Sequence, residues 1–432
     1  MKITFIRPSM TGKQSSDALK PLVFAILRGL TPKDVTAVFY DECVEKLPDA
    51  VDGEAAVFSV ETLAAKRAYA LAAKYRQKNP HLKIIMGGFH ATAVPDEALR
   101  HADCVVTGDA EPVWGALIAD LQRGSLKPLY ASANGIMLPF RSTDHSVFNG
   151  KKYAKIGVAQ WKRGCIYNCN FCSINAFYSS CVAEREISDV IREISAAKEK
   201  IFFIADDNLL HDRAKLKIFL TELALLKKKW ACQISVNVAK DPEILGLMKK
   251  SGCIMAIVGF ESMSEAALTE MGKRQRAAEY DDAVRVIHSY GIMLYAAFIF
   301  GYPGDTVESF ECVYKFVMKH KPAIVNFNPL LVMPGTALYD DLLRQGKLID
   351  SRWWLADTYK YGDATHYPDN MTPEQLAEGC KKLRYRFYSL RSIFWRALKP
   401  VNIRHFFVFA LINLVSFIEI RRKQKLKHGG NG

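Results

Sequence analysis

The sequence predicts an α/β fold in which an N-terminal doubly wound domain is followed by a partial (β/α)6 barrel of parallel strands and a C-terminal helical extension. Two series of short apolar strands alternating with amphipathic helices, a stretch between them where periodicity fades, and purely helical spacing beyond Met371 carry that reading. Because 432 residues exceed what one core usually fills, the expected division is residues 1–126, a linker over 127–152, a barrel over 153–342 and a helical region over 343–432.

The first series runs ITFIRPS, a helix from about Leu19, TAVFYDE, AAVFSV, a helix over 64–75, KIIMGG, DCVVTG and a helix after Glu111. Apolar strands spaced by helices indicate a parallel sheet covered on both faces. Its strand ends carry Pro8, Gly87, Gly88 and Gly108, and ligands of such sheets lie beyond the carboxyl ends. Pro128, Gly135, Pro139 and Gly150 mark the linker. The second series is IGVAQW, KIFFIADD, CQISVN, IMAIVGF, IMLYAAFIFG and AIVNFNPLL, again with intervening helices. Six such strands fit a partial barrel with its site at the carboxyl-end rim.

Half the residues are hydrophobic and 24% are charged, which describes a folded protein. Ten cysteines without a framework of close pairs point to a reducing, cytoplasmic setting, and the opening MKITFIRPSM, broken by Arg7 and Pro8, is too short for a signal-peptide core. The net charge of +14 and pI near 9.2 favour an acidic partner.

The most informative segment is Trp161-Lys-Arg-Gly-Cys165-Ile-Tyr-Asn-Cys169-Asn-Phe171-Cys172-Ser. Three thiolates spaced CxxxCxxC can hold three irons of a cubane and leave the fourth for a small-molecule ligand. Structural zinc instead wants four closed ligands, and no second CxxC pair is nearby. Cys181, Cys232, Cys253 and Cys312 read as core thiols.

CxxxCxxC with an aromatic before the third cysteine resembles the radical S-adenosylmethionine (SAM) superfamily, and the resemblance covers roughly residues 153–342. It implies a 4Fe-4S cluster held by Cys165, Cys169 and Cys172, with SAM chelated at the open iron and split to a 5'-deoxyadenosyl radical. It also assigns Asp206 and Asp207 to the SAM amino group, Glu261 to the ribose or carboxylate, and Gly301 and Pro303 to the adenine turn, with Phe171, Ser235 and Asn237 as further cofactor contacts. Arg274 lies where some relatives place a cation, although a solvated helix end explains it as well.

The Rossmann-like domain in front, with Met86-Gly-Gly-Phe-His90 and Val106-Thr-Gly108-Asp-Ala-Glu111, resembles the cobalamin-binding subclass. Gly87, Gly88 and Gly108 are then cofactor-binding candidates. The DxHxxG loop that supplies a cobalt ligand in many cobalamin proteins is absent after the first strand, so cobalamin is expected to bind without a protein histidine, and His90 reads as structural. The resemblance implies a cobalamin-dependent methyltransferase acting on an unactivated carbon and served by an electron donor such as flavodoxin or ferredoxin. A radical SAM oxidative cyclase or oxidoreductase is the runner-up. An iron-sulfur scaffold or membrane-binding protein is the non-enzymatic alternative.

The tail mixes cations with aromatics at helical spacing from Lys381 to Lys399, then runs apolar from Phe406 to Ile418 before Arg421, Arg422, Lys423, Lys425 and Lys427. That apolar run is shorter than the roughly 20 residues a span requires. Two readings remain, an interfacial anchor on the inner face of an anionic membrane and a helix docked on the barrel. The anchor favours a hydrophobic substrate such as a lipid, isoprenoid or tetrapyrrole. No recognition helix accompanies the charge, which disfavours nucleic acid.

Overall fold

The computed structural model describes residues 1–15, 18–132 and 143–428, with side chains described up to Arg421. Gly135 and Pro139 of the expected linker, and the side chains of Arg422, Lys423, Lys425 and Lys427, lie outside the described residues. The chain forms two compact units, residues 1–205 with 333–341 and 352–357, and residues 206–332 with 342–351 and 358–432.

In the first unit, strands β1 (Lys2–Arg7), β2 (Thr36–Asp41), β3 (Ala55–Ser59), β4 (Lys83–Gly87), β5 (Cys104–Thr107) and β6 (Leu129–Ala131) form a parallel sheet ordered β2-β1-β3-β4-β5-β6. The order reverses between β1 and β3, a switch point at which such sheets bind ligands. Ile3, Phe5, Phe24, Phe39, Val57 and Trp114 fill the core, and the buried Trp114 indole N–H donates to Thr31 Oγ1 at 3.1 Å. Burying the indole without that acceptor would leave a donor unsatisfied.

Two stretches read as linker belong to this core. Leu129–Ala131 pairs with β5, and Phe148 is buried against Phe39 with ring centroids 5.9 Å apart. Three residues with one buried side chain leave too little pattern to mark β6 in sequence. Strand β7 (Gly157–Ala159) follows, then an antiparallel hairpin of β8 (Lys162–Gly164) and β9 (Val182–Glu184), and β10 (Ile201–Ile204), parallel to β7.

In the second unit, β11 (Lys229–Gln233), β12 (Cys253–Glu261), β13 (Met293–Phe300) and β14 (Ile324–Pro329) are parallel and consecutive neighbours. Their carboxyl ends therefore share one edge. The helices Pro373–Phe387, Leu390–Ala397, Pro400–Arg404 and Phe406–His428 bear out the helical tail. Tyr388 caps the β14 backbone, its hydroxyl donating to Val325 O at 3.1 Å and accepting from Val325 N at 3.2 Å.

Of the cysteines expected in the core, Cys232 and Cys253 are buried, whereas Cys181 and Cys312 are exposed. Cys181 follows Ser179 and Ser180, both at positive φ, in the turn that leads into β9. Cys312 falls on the outer face of helix Val307–His320, opposite the inward-facing Phe310 and Val313.

Candidate active site

The three cysteines lie between the arms of the β8–β9 hairpin. Gly164 enters this loop at φ +89°, where an added Cβ would sit 2.0 Å from the Cys181 carbonyl oxygen, so only glycine lets the two arms approach. Within the loop Cys172 N donates to Cys169 O at 3.1 Å, and Ala176 N to Cys172 O at 3.1 Å, starting the helix Ser173–Tyr178. Cys169 is buried and Cys165, Phe171 and Cys172 are half-buried.

The donor set fits an iron-sulfur cubane: three thiols fall within one short loop, and none of the ten cysteines, all of them described, is in a disulfide. Among the described residues no three His, Cys, Asp or Glu side chains already close round a metal-sized point. The loop therefore supplies thiols of the kind and spacing that such a cubane takes.

Arg163, two residues before Cys165, is buried and ion-paired to Asp109 at 3.2 Å and to Glu111 at 2.6 Å; Tyr178 also donates to Asp109, at 3.1 Å. Burial works against the Arg163 charge, but Glu111 and Asp109 outweigh it and leave its pKa raised. Burial likewise raises Asp109, with Arg163 partly offsetting it. The Gly108-Asp-Ala-Glu111 turn after β5 thus grips the hairpin that carries the cysteines. Each motif is visible in sequence. Their contact is not, because more than fifty residues separate them.

Gly87, Gly88 and Gly108 sit at the carboxyl ends of β4 and β5 as expected. Gly88 is required by the fold itself, since at φ +98° its Cβ would lie 2.9 Å from Val60 O. Gly108, at φ +74°, donates its N–H to Thr92 Oγ1 at 3.1 Å. His90 is fully buried between Thr62, Tyr69 and Glu97, and Trp354 donates to the same Glu97 oxygen at 2.9 Å, so the imidazole is structural. A cavity of about 420 Å³ opens beside these strand ends, lined by Glu61, Thr62, Phe89, Ala93, Phe177 and Met333 among others. It borders the helix that begins next to Cys172.

In the second unit the predicted polar residues gather at the carboxyl edge. Asn208 Oδ1 accepts from Ser235 N at 3.1 Å, joining the turn that holds the buried Asp206 and half-buried Asp207 to the end of β11. Ser235 caps the short helix Val236–Lys240, and Asn237 donates to Arg274 O at 3.1 Å. Both lie beyond β11 rather than in it. Arg274 itself is exposed.

Glu261 adopts φ +64° at a bulge in β12, a conformation costing about 1–3 kcal/mol for a residue with a Cβ. Its carboxylate folds back onto Lys273 at 2.8 Å, and a Cβ on Gly259 would sit 2.2 Å from Glu261 Oε1. Gly259 thereby makes room for the carboxylate. Gln275 and Tyr280 hold the Phe260 carbonyl beside it, at 2.9 and 2.6 Å. Sequence reading missed Lys273, Gln275 and Tyr280, for which loop residues downstream of the strand offered no distinguishing signal.

The turn at Gly301 and Pro303 is clamped by Asp305, whose Oδ2 accepts from Gly301 N at 3.0 Å and Tyr302 N at 3.1 Å; His366 Nε2 meets Gly301 O at 2.8 Å. Burial pushes the Asp305 carboxyl up to about 6, against those backbone donors. A cavity of about 250 Å³ beyond β12 and β13 is lined by Ser262, Phe300, Asp305 and Cys312 among others.

Residues 161–317 match the radical SAM superfamily, and that match starts at the Trp161 hairpin just described. Those residues are a radical SAM domain. The chain is 29% identical over 399 residues to a bacteriochlorophyllide d C-12(1)-methyltransferase of Chlorobaculum tepidum, covering 88% of this chain and 86% of the relative. It is 28% identical over 284 residues to a hopanoid C-2 methylase of Rhodopseudomonas palustris, covering 62% of this chain and 54% of the relative. In fold it resembles the cobalamin-dependent SAM radical enzyme OxsB, solved with aqua-cobalamin and SAM, with a TM-score of 0.67 at 15% identity over 96% of this chain and 72% of that one.

Proposed function

We propose that this protein is a cobalamin-dependent radical SAM methyltransferase that methylates an unactivated carbon of a hydrophobic substrate, a tetrapyrrole, isoprenoid or other lipid. The observation that carries the reading is the three-cysteine hairpin tied through Arg163 to the Gly108–Glu111 turn of the N-terminal sheet, with a ligand-sized cavity beside both. The bacteriochlorophyllide and hopanoid methylases among its relatives support the substrate class.

Cys165, Cys169 and Cys172 would hold three irons. When bound, the cluster and SAM supply the radical that removes a hydrogen atom, and cobalamin supplies the methyl group. The chain's own share is binding, orientation and exclusion of water. Asp206, Asp207, Ser235, Asn237 and Glu261 offer acceptors suited to an ammonium and ribose hydroxyls, and the Asp305-clamped turn at Gly301 and Pro303 is the proposed place of the adenine. Phe171, half-buried in the cysteine loop, is a further proposed contact for the cofactor. Gly87 and Gly88 lead directly into Phe89, and Gly108 donates its N–H to Thr92; Phe89 and Thr92 line the cavity proposed for part of the cobalamin. With His90 committed to Glu97, Tyr69 and Thr62, this segment offers cobalt no imidazole, which suits a cofactor bound without a protein histidine. A partial barrel of parallel strands, and a flavodoxin- or ferredoxin-type electron donor, complete the reading.

Anaerobically reconstituted protein is expected to show cluster and corrinoid absorption together, and to release 5'-deoxyadenosine from SAM under reduction. Cys169→Ala is expected to abolish that release. Methyl label from SAM must appear in the product; deoxyadenosine release without label transfer to any tetrapyrrole or isoprenoid tested defeats methyl transfer and leaves a cyclase or oxidoreductase.

A further inference from the structure

The C-terminal helices have an inner face that the fold explains and an outer face that it does not. Helix Leu390–Ala397 turns Ser392 and Arg396 inward, and helix Phe406–His428 turns Phe409 and Asn413 inward. These faces converge on one cluster: Arg396 donates to Asn413 Oδ1 at 2.7 Å and to Ala323 O at 2.9 Å, and Asn413 Nδ2 reaches the same Ala323 oxygen at 3.1 Å. On the opposite side Leu390, Phe394 and Leu398 recur every fourth residue, and Phe407, Leu411 and Leu414 follow a spacing of four and three. All six are exposed, Phe407 by 88%. Among the described residues, ten of the 21 large apolar side chains that are exposed lie between 390 and 418. Scattered singly they would be ordinary; repeated at helical spacing on two helices they form a surface that calls for a partner.

Charge identifies the partner. From residue 390 to the last residue the sequence has nine lysines and arginines against one carboxylate, Glu419. Arg391 and Arg404, beside the apolar stripe, are exposed. Protein interfaces are depleted in lysine, and joining two copies of a chain of net charge +14 would set like charges together. An anionic lipid surface reverses both terms, attracting the cations at its headgroups while apolar side chains enter roughly 5–10 Å. No helix among the described residues is long and apolar enough to cross a membrane, so the helices would lie in the plane.

We propose that the outer face of helices Leu390–Ala397 and Phe406–His428 docks on an anionic phospholipid bilayer. The proposal concerns placement and does not rest on the reaction catalysed. The test is flotation of the full-length, cluster-loaded protein with vesicles of phosphatidylglycerol and phosphatidylcholine, compared with phosphatidylcholine alone. Binding is expected to need the anionic lipid and to weaken at high salt. Leu411→Glu with Phe407→Glu should lower partitioning by about tenfold or more, and Arg391→Glu with Arg404→Glu should do likewise without touching the apolar stripe. SAM cleavage measured without vesicles should be unchanged in both. If the apolar pair fails to fold, the charge pair carries the test. Failure of the unmodified protein to float with anionic vesicles at low salt overturns the proposal, as does unchanged flotation of a folded variant. A self-association seen by sedimentation velocity, abolished by Leu411→Glu and unaccompanied by lipid binding, would give the face to a second copy instead.

Discussion

Two buried arginines hold two parts of this protein by opposite electrostatics. Arg163, beside the cysteine loop, is surrounded by carboxylates, and its charge is favoured despite burial. Arg396, beneath the C-terminal helices, donates to the carbonyls of Pro322, Ala323 and Phe387 and to the side chains of Ser392 and Asn413. All of those acceptors are neutral, and burial pulls its pKa down to about 10. The first arrangement makes one loop dependent on a charge triad. The second uses a cation as a five-donor brace for chain ends that would otherwise bury unsatisfied carbonyls.

The comparison breaks most severely at Arg163. Arg163→Met leaves Asp109 and Glu111 buried without their counter-charge, at a cost of about 3–5 kcal/mol. Because that cost falls on the hairpin carrying Cys165, iron bound per chain after reconstitution should drop severalfold or more, and SAM cleavage with it. Arg163→Lys should restore part of the iron. Retention of full iron content in Arg163→Met would mean the triad does not organise the loop.

At Arg396 the same replacement should hurt less. Arg396→Met removes a poorly solvated charge along with its donors, and the lost carbonyl partners should cost about 2–3 kcal/mol in urea denaturation. Iron content should stay unchanged. Equal iron loss at both arginines would erase the distinction between loop anchor and helix brace.

This contrast also shows what was legible in sequence. The spacing of Cys165, Cys169 and Cys172 and the six strand segments of the second series are local patterns, and the structure returns those strands close to the expected places. Long-range pairings left no such mark. The β8–β9 hairpin joins Lys162 to Glu184 through three-residue strands, and Lys162 and Arg163 look like loop residues until their burial is seen. Ser235 and Asn237 lie one turn past the strand assigned to them, because CQISVN ends its pairing at Gln233 and continues as a short helix. In sequence the tail admits both an anchor and a docked helix. The inner faces dock, and the anchor reading survives only for the outer ones.

Asp305 offers the mirror image of Arg396, with an effect that appears only as pH rises. It is a buried anion whose backbone partners, the N–H groups of Gly301 and Tyr302, carry no charge, and burial raises its pKa from the usual 3.8 to about 6. The folded state therefore binds the proton more tightly than the unfolded chain. Stability from this residue is complete below about pH 4 and is lost as pH rises through about 6, amounting to about 3 kcal/mol by pH 7. Asp305→Asn keeps an oxygen for both N–H groups and has no charge to desolvate. Its urea midpoint, relative to the unmodified protein at each pH, should therefore climb between about pH 4 and 6 and level off above. A difference that stays flat across that range would show that the clamp holds a carboxylate of ordinary pKa, and that neutral donors at Gly301 and Tyr302 suffice to keep an anion buried where neutral acceptors at Arg396 do not fully sustain a cation.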